Sequence, residues 1–214
     1  MRIGILGPEG TFSETAAMLW LKGSGSGRKT ENVELMYHET IVDVSESIVR
    51  REVDYGIVPI ENSLEGSVGE TLDLLSSENN EPEMRIVGEI LVPIKICLLA
   101  KESFGSIRTV VSHPHALAQC KQFIRERLKV KGVEVKSVDS TAGAAKMAME
   151  DEEIAALASE EAAKKYGLTI LAENVQDKES ITRFVVLSSS GIKTVPTEKD
   201  KTSLLIYLLD RPGA

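Results

Sequence analysis

Five short polar runs carry residue types that can hold a small anion and move a proton. The most telling is Glu179-Ser180-Ile181-Thr182-Arg183-Phe184, just before the apolar Val185-Val186-Leu187. A hydroxyl beside a guanidinium, at the mouth of a buried strand, offers a proton donor next to an anion clamp. Alone, the pair reads equally as a solvated rim. Four upstream runs share its character, and each lies where a strand gives way to a helix.

Gly7-Pro8-Glu9-Gly10-Thr11-Phe12-Ser13 follows the first strand. Its glycines permit a tight turn, Thr11 or Ser13 can cap the next helix, and free N–H groups there would attract an anion. It lacks GxGxxG and the Walker lysine, so a nucleotide site is a poor reading. Pro59-Ile60-Glu61-Asn62-Ser63-Leu64-Glu65-Gly66-Ser67-Val68 sets an acid, an amide and a hydroxyl at a strand's end, where open α/β sheets bind ligands. Asn62 and Ser63 also read as plain helix caps. Ser112-His113-Pro114-His115-Ala116-Leu117-Ala118-Gln119-Cys120 puts a proline at the first helical turn, with Ser112 at the helix mouth and Gln119 about two turns along. His113 and His115 have no acidic or Cys neighbours at ligand spacing and read as exposed loop histidines. Asp139-Ser140-Thr141-Ala142-Gly143-Ala144-Ala145 combines anion-accepting hydroxyls with small residues that let a helix approach closely. It reads equally as a packed small-residue helix.

The elements that must position these runs alternate regularly. Strands are expected over 3–6, 33–37, 55–59, 85–89, 90–100, 109–112, 133–138, 154–159, 168–171 and 184–188. Helices are expected over 13–21, 41–51, 64–75, 115–128, 141–149 and 160–166. On the first helical stripes, Ile41, Val44, Ile48 and Val49 face inward, as do Leu72, Leu74 and Leu75. Lys22 to Gly27 reads as a flexible turn. The alternation predicts a doubly wound α/β architecture with parallel sheets. A change of character near 76–83 and a return near 176–179 divide it into lobe one, about 1–80 plus 177–191, and lobe two, about 81–176. Two lobes with two crossovers make a cleft. Residues 192–201 read as a linker and 202–209 as a further strand.

Hydrophobic residues make up 42% of the 214-residue chain but aromatics only 4%, so aliphatic and small side chains must build the core. The net charge of −8 argues against a nucleic-acid partner. Cys97 and Cys120 form no CxxC, and Cys97 lies in an apolar run, so buried free thiols and a reducing, cytoplasmic compartment are expected. No apolar run reaches the length of a membrane span and no signal-peptide pattern opens the chain. Together the five runs describe a cleft lined by hydroxyls, amides and helix N-termini, with Arg183 as the one obvious cation. Such a site suits a small organic anion and chemistry by positioning and proton donation.

GPEGTFSE, VPIENSLEGSV, SHPHALAQC, STAGAA and ESITRF resemble, in order and spacing, the catalytic domain of prephenate dehydratases over residues 1–191. Thr202 to Ala214, with DRPGA, is similar to the opening of the ACT regulatory domain that follows in that family. The resemblance implies two doubly wound lobes around a ligand cleft, similar to type II periplasmic solute-binding proteins. It implies decarboxylative dehydration of prephenate to phenylpyruvate, water and CO2, in phenylalanine biosynthesis, without a cofactor or metal. It casts Thr182 as proton donor or relay, Arg183 as carboxylate clamp, and Phe184 as support for the ring. Glu61, Asn62, Ser112 and Gln119 take orienting and hydrogen-bonding roles, and Thr11, Ser140 and Thr141 anion contacts. A homodimer or higher oligomer is implied, with L-phenylalanine as effector in a chain that carries the full ACT domain. The competing expectation is a non-catalytic, two-lobed small-anion binding or sensor module.

Overall fold

The computed structural model describes residues 1–23, 32–76, 84–189, 200–204 and 206. In chain order, the first part holds β1 (Arg2–Leu6), α1 (Phe12–Gly23), β2 (Glu34–His38), α2 (Ile41–Val49), β3 (Tyr55–Asn62), β4 (Gly66–Ser67), α3 (Gly69–Ser76) and β5 (Met84–Ile94). The second holds β6 (Cys97–Ala100), β7 (Thr109–Ser112), α4 (Pro114–Gln119), α5 (Lys121–Phe123), a π turn over Ile124–Leu128 and a 3-10 turn over Lys129–Lys131. It continues through β8 (Glu134–Ser137), α6 (Thr141–Glu150), β9 (Ile154–Ala158), α7 (Glu160–Tyr166) and β10 (Thr169–Ala172), and β11 (Ser180–Ser189) closes the described fold.

These segments form a mixed α/β fold of two sheets, ordered β2-β1-β3-β11-β5, with β4 beside β3, and β10-β6-β9-β7-β8. The expectation of parallel sheets holds for β2-β1-β3 and for β9-β7-β8. It fails for β11, antiparallel to both β3 and β5, and for β6 and β10. The reason is the crossover: β5 runs almost directly into β6, and β11 returns from the second sheet, so these strands enter against the βαβ direction. The expected start of lobe two at 81 is also corrected. β5 pairs with β11 from Met84 to Ile94 in the first sheet, so the second sheet begins at Cys97. The two crossing segments are tied together. Val175 N–H donates to the Ile96 carbonyl at 2.9 Å, and Ile96 N–H to Gln176 Oε1 at 2.9 Å.

Local sequence explains most elements. Thr40 and Asp43 form a reciprocal capping box that starts α2. Ile41, Val44 and Ile48 of α2 are buried against the first sheet, whereas Val49 is 45% exposed, off the predicted stripe. Gly56 lets α2 approach β3 closely, since a Cβ there would stand 2.6 Å from Ile48 Cδ1. Ser140 and Ser159 cap α6 and α7, and left-handed Gly167 ends α7. Ala144, Ala145 and Ala148 of α6 pack with Ala156 and Ala158 of β9, all fully buried. Small side chains thus bring helix and sheet into close contact in a core with few aromatics.

Three predicted boundaries move. The helix expected over 64–75 begins at Gly69, because Asn62 Oδ1 accepts the N–H groups of Leu64 and Glu65, at 2.9 and 3.2 Å, and folds the chain into a hairpin. In α3, Thr71 is buried and Leu72 is 42% exposed. The helix expected over 115–128 is interrupted at Cys120 and widens into the π turn. The strand expected over 184–188 begins at Ser180, so Thr182 and Arg183 lie within it. Of the turn predicted over 22–27, Lys22 and Gly23 instead end α1; the rest of it and most of the linker and strand predicted over 192–209 lie outside the described residues, and Asp200 to Leu204 and Ile206 belong to no regular element. Among the described residues, no helix is long and apolar enough to cross a membrane.

Candidate active site

The C-terminal ends of the parallel strands in the two sheets face each other. Ser159 Oγ at the head of α7 donates to the Gly10 carbonyl at 3.0 Å, and Tyr166 Oη to the Glu9 carbonyl at 3.0 Å, so the 7–11 loop of the first lobe rests on α7 of the second. A side chain at Gly10, which has φ +86°, would meet the Ala162 backbone at 3.2 Å. The cleft between the strand ends is where an open α/β fold takes its ligand.

At the first lobe's side of this cleft, β11 pairs with the end of β3 so that Thr182 stands opposite Asn62 and Arg183 opposite Glu61. Asn62 is the hub. Its Nδ2 donates to Thr182 Oγ1 and to Ser180 Oγ, each at 2.9 Å, while its Oδ1 holds the hairpin backbone. Since Thr182 Oγ1 accepts from Asn62, its own proton is free to be given to another partner. Ser63 locks the same hairpin to β11, its N–H donating to the Ile181 carbonyl at 2.9 Å and its Oγ accepting from Ile181 N–H at 3.0 Å.

Strand alternation then separates residues that adjoin in sequence. Ser180, Thr182 and the buried Phe184 share one face of β11, and Phe184 joins the core around Ile3, Ile57 and Val92. Arg183 lies on the other face, with Val185 and Leu187 of the core around α2. The hydroxyl and guanidinium therefore do not stand side by side. Arg183 instead meets Glu61, with Nη2 at 2.8 Å and Nε at 3.2 Å, and Glu89, with Nη1 at 3.4 Å. Glu89 also pairs with Lys201, and Lys201 first, then Arg183, hold its carboxyl below the usual range.

The other predicted site residues divide similarly. Gln119 donates from Nε2 to Glu65 Oε1 at 2.7 Å, spanning the lobes, and His115 Nδ1 pairs with the second oxygen of Glu65. His113 accepts the His115 N–H as the cap of α4, and burial, with the neighbouring His115, depresses its pKa. Ser112 does not present its hydroxyl to the cleft; it is fully buried and donates to the Leu157 carbonyl at 2.5 Å. Ser140 accepts the Gly143 N–H at 2.9 Å, and Thr141 is half-buried at the first turn of α6. Thr11 donates to the Leu6 carbonyl at 3.0 Å. Beside it, the Gly10 N–H, a candidate anion donor, is taken by Glu14 Oε2 at 2.7 Å. That loop is acidic: burial, then Glu14 and Glu9, raise the Tyr37 phenol well above its ordinary pKa.

Sequence reasoning named Ser180 and Glu65 within their motifs but gave them no role. Glu65 and Gln119 are 54 positions apart, and no local pattern links them. Both cysteines are free and buried. Among the described residues, no three His, Cys, Asp or Glu side chains gather as a metal ion would require. The arrangement can orient one hydroxyl as a proton donor, held by Asn62 at the base of a hairpin whose Glu65 meets the Gln119 amide of the second lobe.

A sequence model of the prephenate dehydratase family matches residues 3–191. The bifunctional chorismate mutase/prephenate dehydratase of Aquifex aeolicus (strain VF5) is 40% identical over the whole chain, which spans 55% of that protein. A prephenate dehydratase of Methanocaldococcus jannaschii is 37% identical over 97% of the chain, which spans 72% of it. Among solved structures, the Arthrobacter aurescens prephenate dehydratase in complex with L-Phe has a TM-score of 0.78 at 32% identity, covering 92% of this chain and 63% of its own. The chain thus spans about half to two thirds of the length of most curated relatives it matches. Over that span, it belongs to the prephenate dehydratase family.

Proposed function

We propose that this chain catalyses the decarboxylative dehydration of prephenate to phenylpyruvate, as a carbon–oxygen lyase of aromatic amino-acid biosynthesis. The observation that carries the reading is the Asn62–Thr182 pair at the cleft, within the span matched by the family. The reaction breaks the ring C–CO2 bond and the C–OH bond, and one proton joins the departing hydroxyl to form water. Aromatisation supplies the driving force, so the protein must only hold the dianion and deliver that proton.

Thr182 donates or relays the proton, with Asn62 fixing the direction of its oxygen. A threonine hydroxyl is a weak acid, so proton transfer is concerted with loss of CO2. Gln119 bonds the substrate from the second lobe, and Ser140 and Thr141 place an anion at the N-terminus of α6. Thr11 shapes the cleft loop, and Ser112 anchors the end of β7. Phe184 backs the pocket. Glu61 and Arg183 neutralise each other behind Thr182; Arg183 serves as a carboxylate clamp if a substrate carboxylate replaces Glu61. We assign the protein to the cytoplasm, where buried free thiols persist.

We also propose a homodimer. Among the described residues, the outer edge of β5 pairs with no strand, and exposed Leu91 and Leu19 lie along it. L-phenylalanine is assigned as effector to chains that carry a full ACT domain.

The test is phenylpyruvate absorbance with purified protein and prephenate. Wild type forms product, and folded Thr182→Ala is slower by about 10²-fold or more. Near-wild-type turnover of that variant defeats the role of Thr182. Prephenate that raises Tm but stays unconverted favours the binding-module reading.

A further inference from the structure

The carboxylate of Glu65 occupies a place that the reaction scheme leaves unexplained. It is carried on the hairpin of the first lobe and reaches the second, accepting from Gln119 Nε2 at 2.7 Å and pairing with His115. Its own N–H donates to Asn62 Oδ1 at 3.2 Å, and Asn62 Nδ2 in turn donates to Thr182 Oγ1 at 2.9 Å. Asn62 and Glu65 thus link the Thr182 hydroxyl in one lobe to the Gln119 amide in the other, through hydrogen bonds at the backbone and the carboxylate of Glu65.

A carboxylate can only accept, so it dictates which end of the Gln119 amide faces it. The NH2 must point to Glu65, and the carbonyl oxygen is turned away. That oxygen, Oε1, is buried and has no hydrogen-bond partner in the structure. An unsatisfied buried acceptor is unfavourable, and a donor arriving with a ligand removes that cost. The amide lies at the junction of the lobes, within a bond's length of the opposite one. Prephenate carries one donor besides any acid proton, its ring hydroxyl, and that hydroxyl is the group that leaves.

We propose that Glu65 is a positioning residue: it locks the Gln119 amide so that Oε1 accepts a hydrogen bond from the ring hydroxyl of the bound substrate. The inference rests on the dehydratase reading above. As the departing oxygen gains a proton, its O–H becomes a stronger donor. The bond to Oε1 therefore tightens towards the transition state and contributes to kcat as well as to KM. The same acceptor disfavours a ligand that lacks a hydroxyl at that place.

The test is a double-mutant cycle on prephenate turnover with wild type, Glu65→Ala, Gln119→Ala and the double variant, with Glu65→Gln as the conservative replacement. Glu65→Ala is expected to lower kcat/KM about 10-fold, the worth of one lost hydrogen bond, with part of the loss in kcat. In the Gln119→Ala background, the same substitution is expected to cost less than about twofold. Glu65→Gln keeps an acceptor for Nε2 but can also present its own NH2 to the flipped amide, so it is expected to fall between wild type and Glu65→Ala, the exposed His115 pair contributing little. Independent, multiplicative losses, or a Glu65→Gln variant as poor as Glu65→Ala, overturn the proposal. If Glu65→Ala does not fold, Glu65→Gln against Glu65→Leu decides the same point. If wild type binds prephenate without turning it over, the dehydratase reading has failed, and the cycle is read from calorimetric binding, where coupling supports the positioning role and additivity overturns it. A wild type that neither binds nor converts prephenate overturns both.

Discussion

Asn62→Asp changes one atom of the hub and reverses what it can donate. The amide nitrogen of Asn62 gives two hydrogen bonds at 2.9 Å, to Thr182 and Ser180, and the oxygen keeps two backbone bonds. Aspartate keeps the two acceptor bonds and has no donor. The Thr182 hydroxyl must then rotate to donate to the carboxylate, whereas Ser180 Oγ already donates towards Oδ1 at 3.3 Å. The loss of two bonds at about 1 kcal/mol each, partly recovered by that rotation, predicts destabilisation of about 1–2 kcal/mol and a folded protein. The effect on chemistry is larger. With its proton held by the introduced carboxylate, Thr182 cannot pass it to the leaving hydroxyl, and general-acid help of this kind is worth about 10²–10⁴. We expect kcat to fall at least about 10²-fold, or about 2.7 kcal/mol. KM should also rise, because the new charge opposes a dianion. The assay is steady-state phenylpyruvate formation, with urea denaturation to confirm the fold. The Thr182→Ala, Asn62→Asp double variant should be no slower than Thr182→Ala. A folded Asn62→Asp enzyme with kcat within about threefold of wild type would show that Thr182 does not deliver the proton under the control of Asn62.

Further predictions test the frame around the site. Gly56→Ala places a Cβ 2.6 Å from Ile48 Cδ1 and 2.7 Å from Val44 Cγ1, and overpacking of this kind costs about 1–3 kcal/mol; its urea midpoint should fall with product formation per folded molecule retained. Cys120 is fully buried, and burial pushes its thiol up to about 12, while Cys97 is raised by burial too. Native protein should therefore show almost no reaction with a thiol reagent, and unfolded protein should show both thiols; rapid labelling of the native state would contradict the packing. The lowered pKa of Glu89 means its pairs with Lys201 and Arg183 stabilise the fold above the ordinary carboxylate range, and that this is lost as pH falls through the lowered value. Glu89→Gln should flatten the acid limb of a stability–pH curve by about 1 kcal/mol or less, and an unchanged limb would show that the pairs contribute nothing.

Much of the frame is local and could be read directly. Thr40 and Asp43 sit at capping-box spacing, Ser140 and Ser159 precede helix-forming runs, and apolar runs such as Val110-Val111 mark buried strands. These are contacts between residues a few positions apart, and sequence periodicity encodes them. The four upstream polar runs were legible as a set for the same reason, because each follows a strand end, and the fifth because it leads into an apolar strand.

What they do together was not legible. Thr182 and Arg183 look like one functional pair, yet strand alternation sends them to opposite faces and gives Arg183 to Glu61 and Glu89. Asn62 and Thr182 are 120 positions apart and meet only because β11 returns antiparallel between β3 and β5, in one register. A register slip of one residue would exchange the faces and remove the hub. Strand direction, register and the bridge from Glu65 to Gln119 arise from burying two sheets and closing one lobe on the other. That balance is summed over the whole chain, and no short window of sequence contains it.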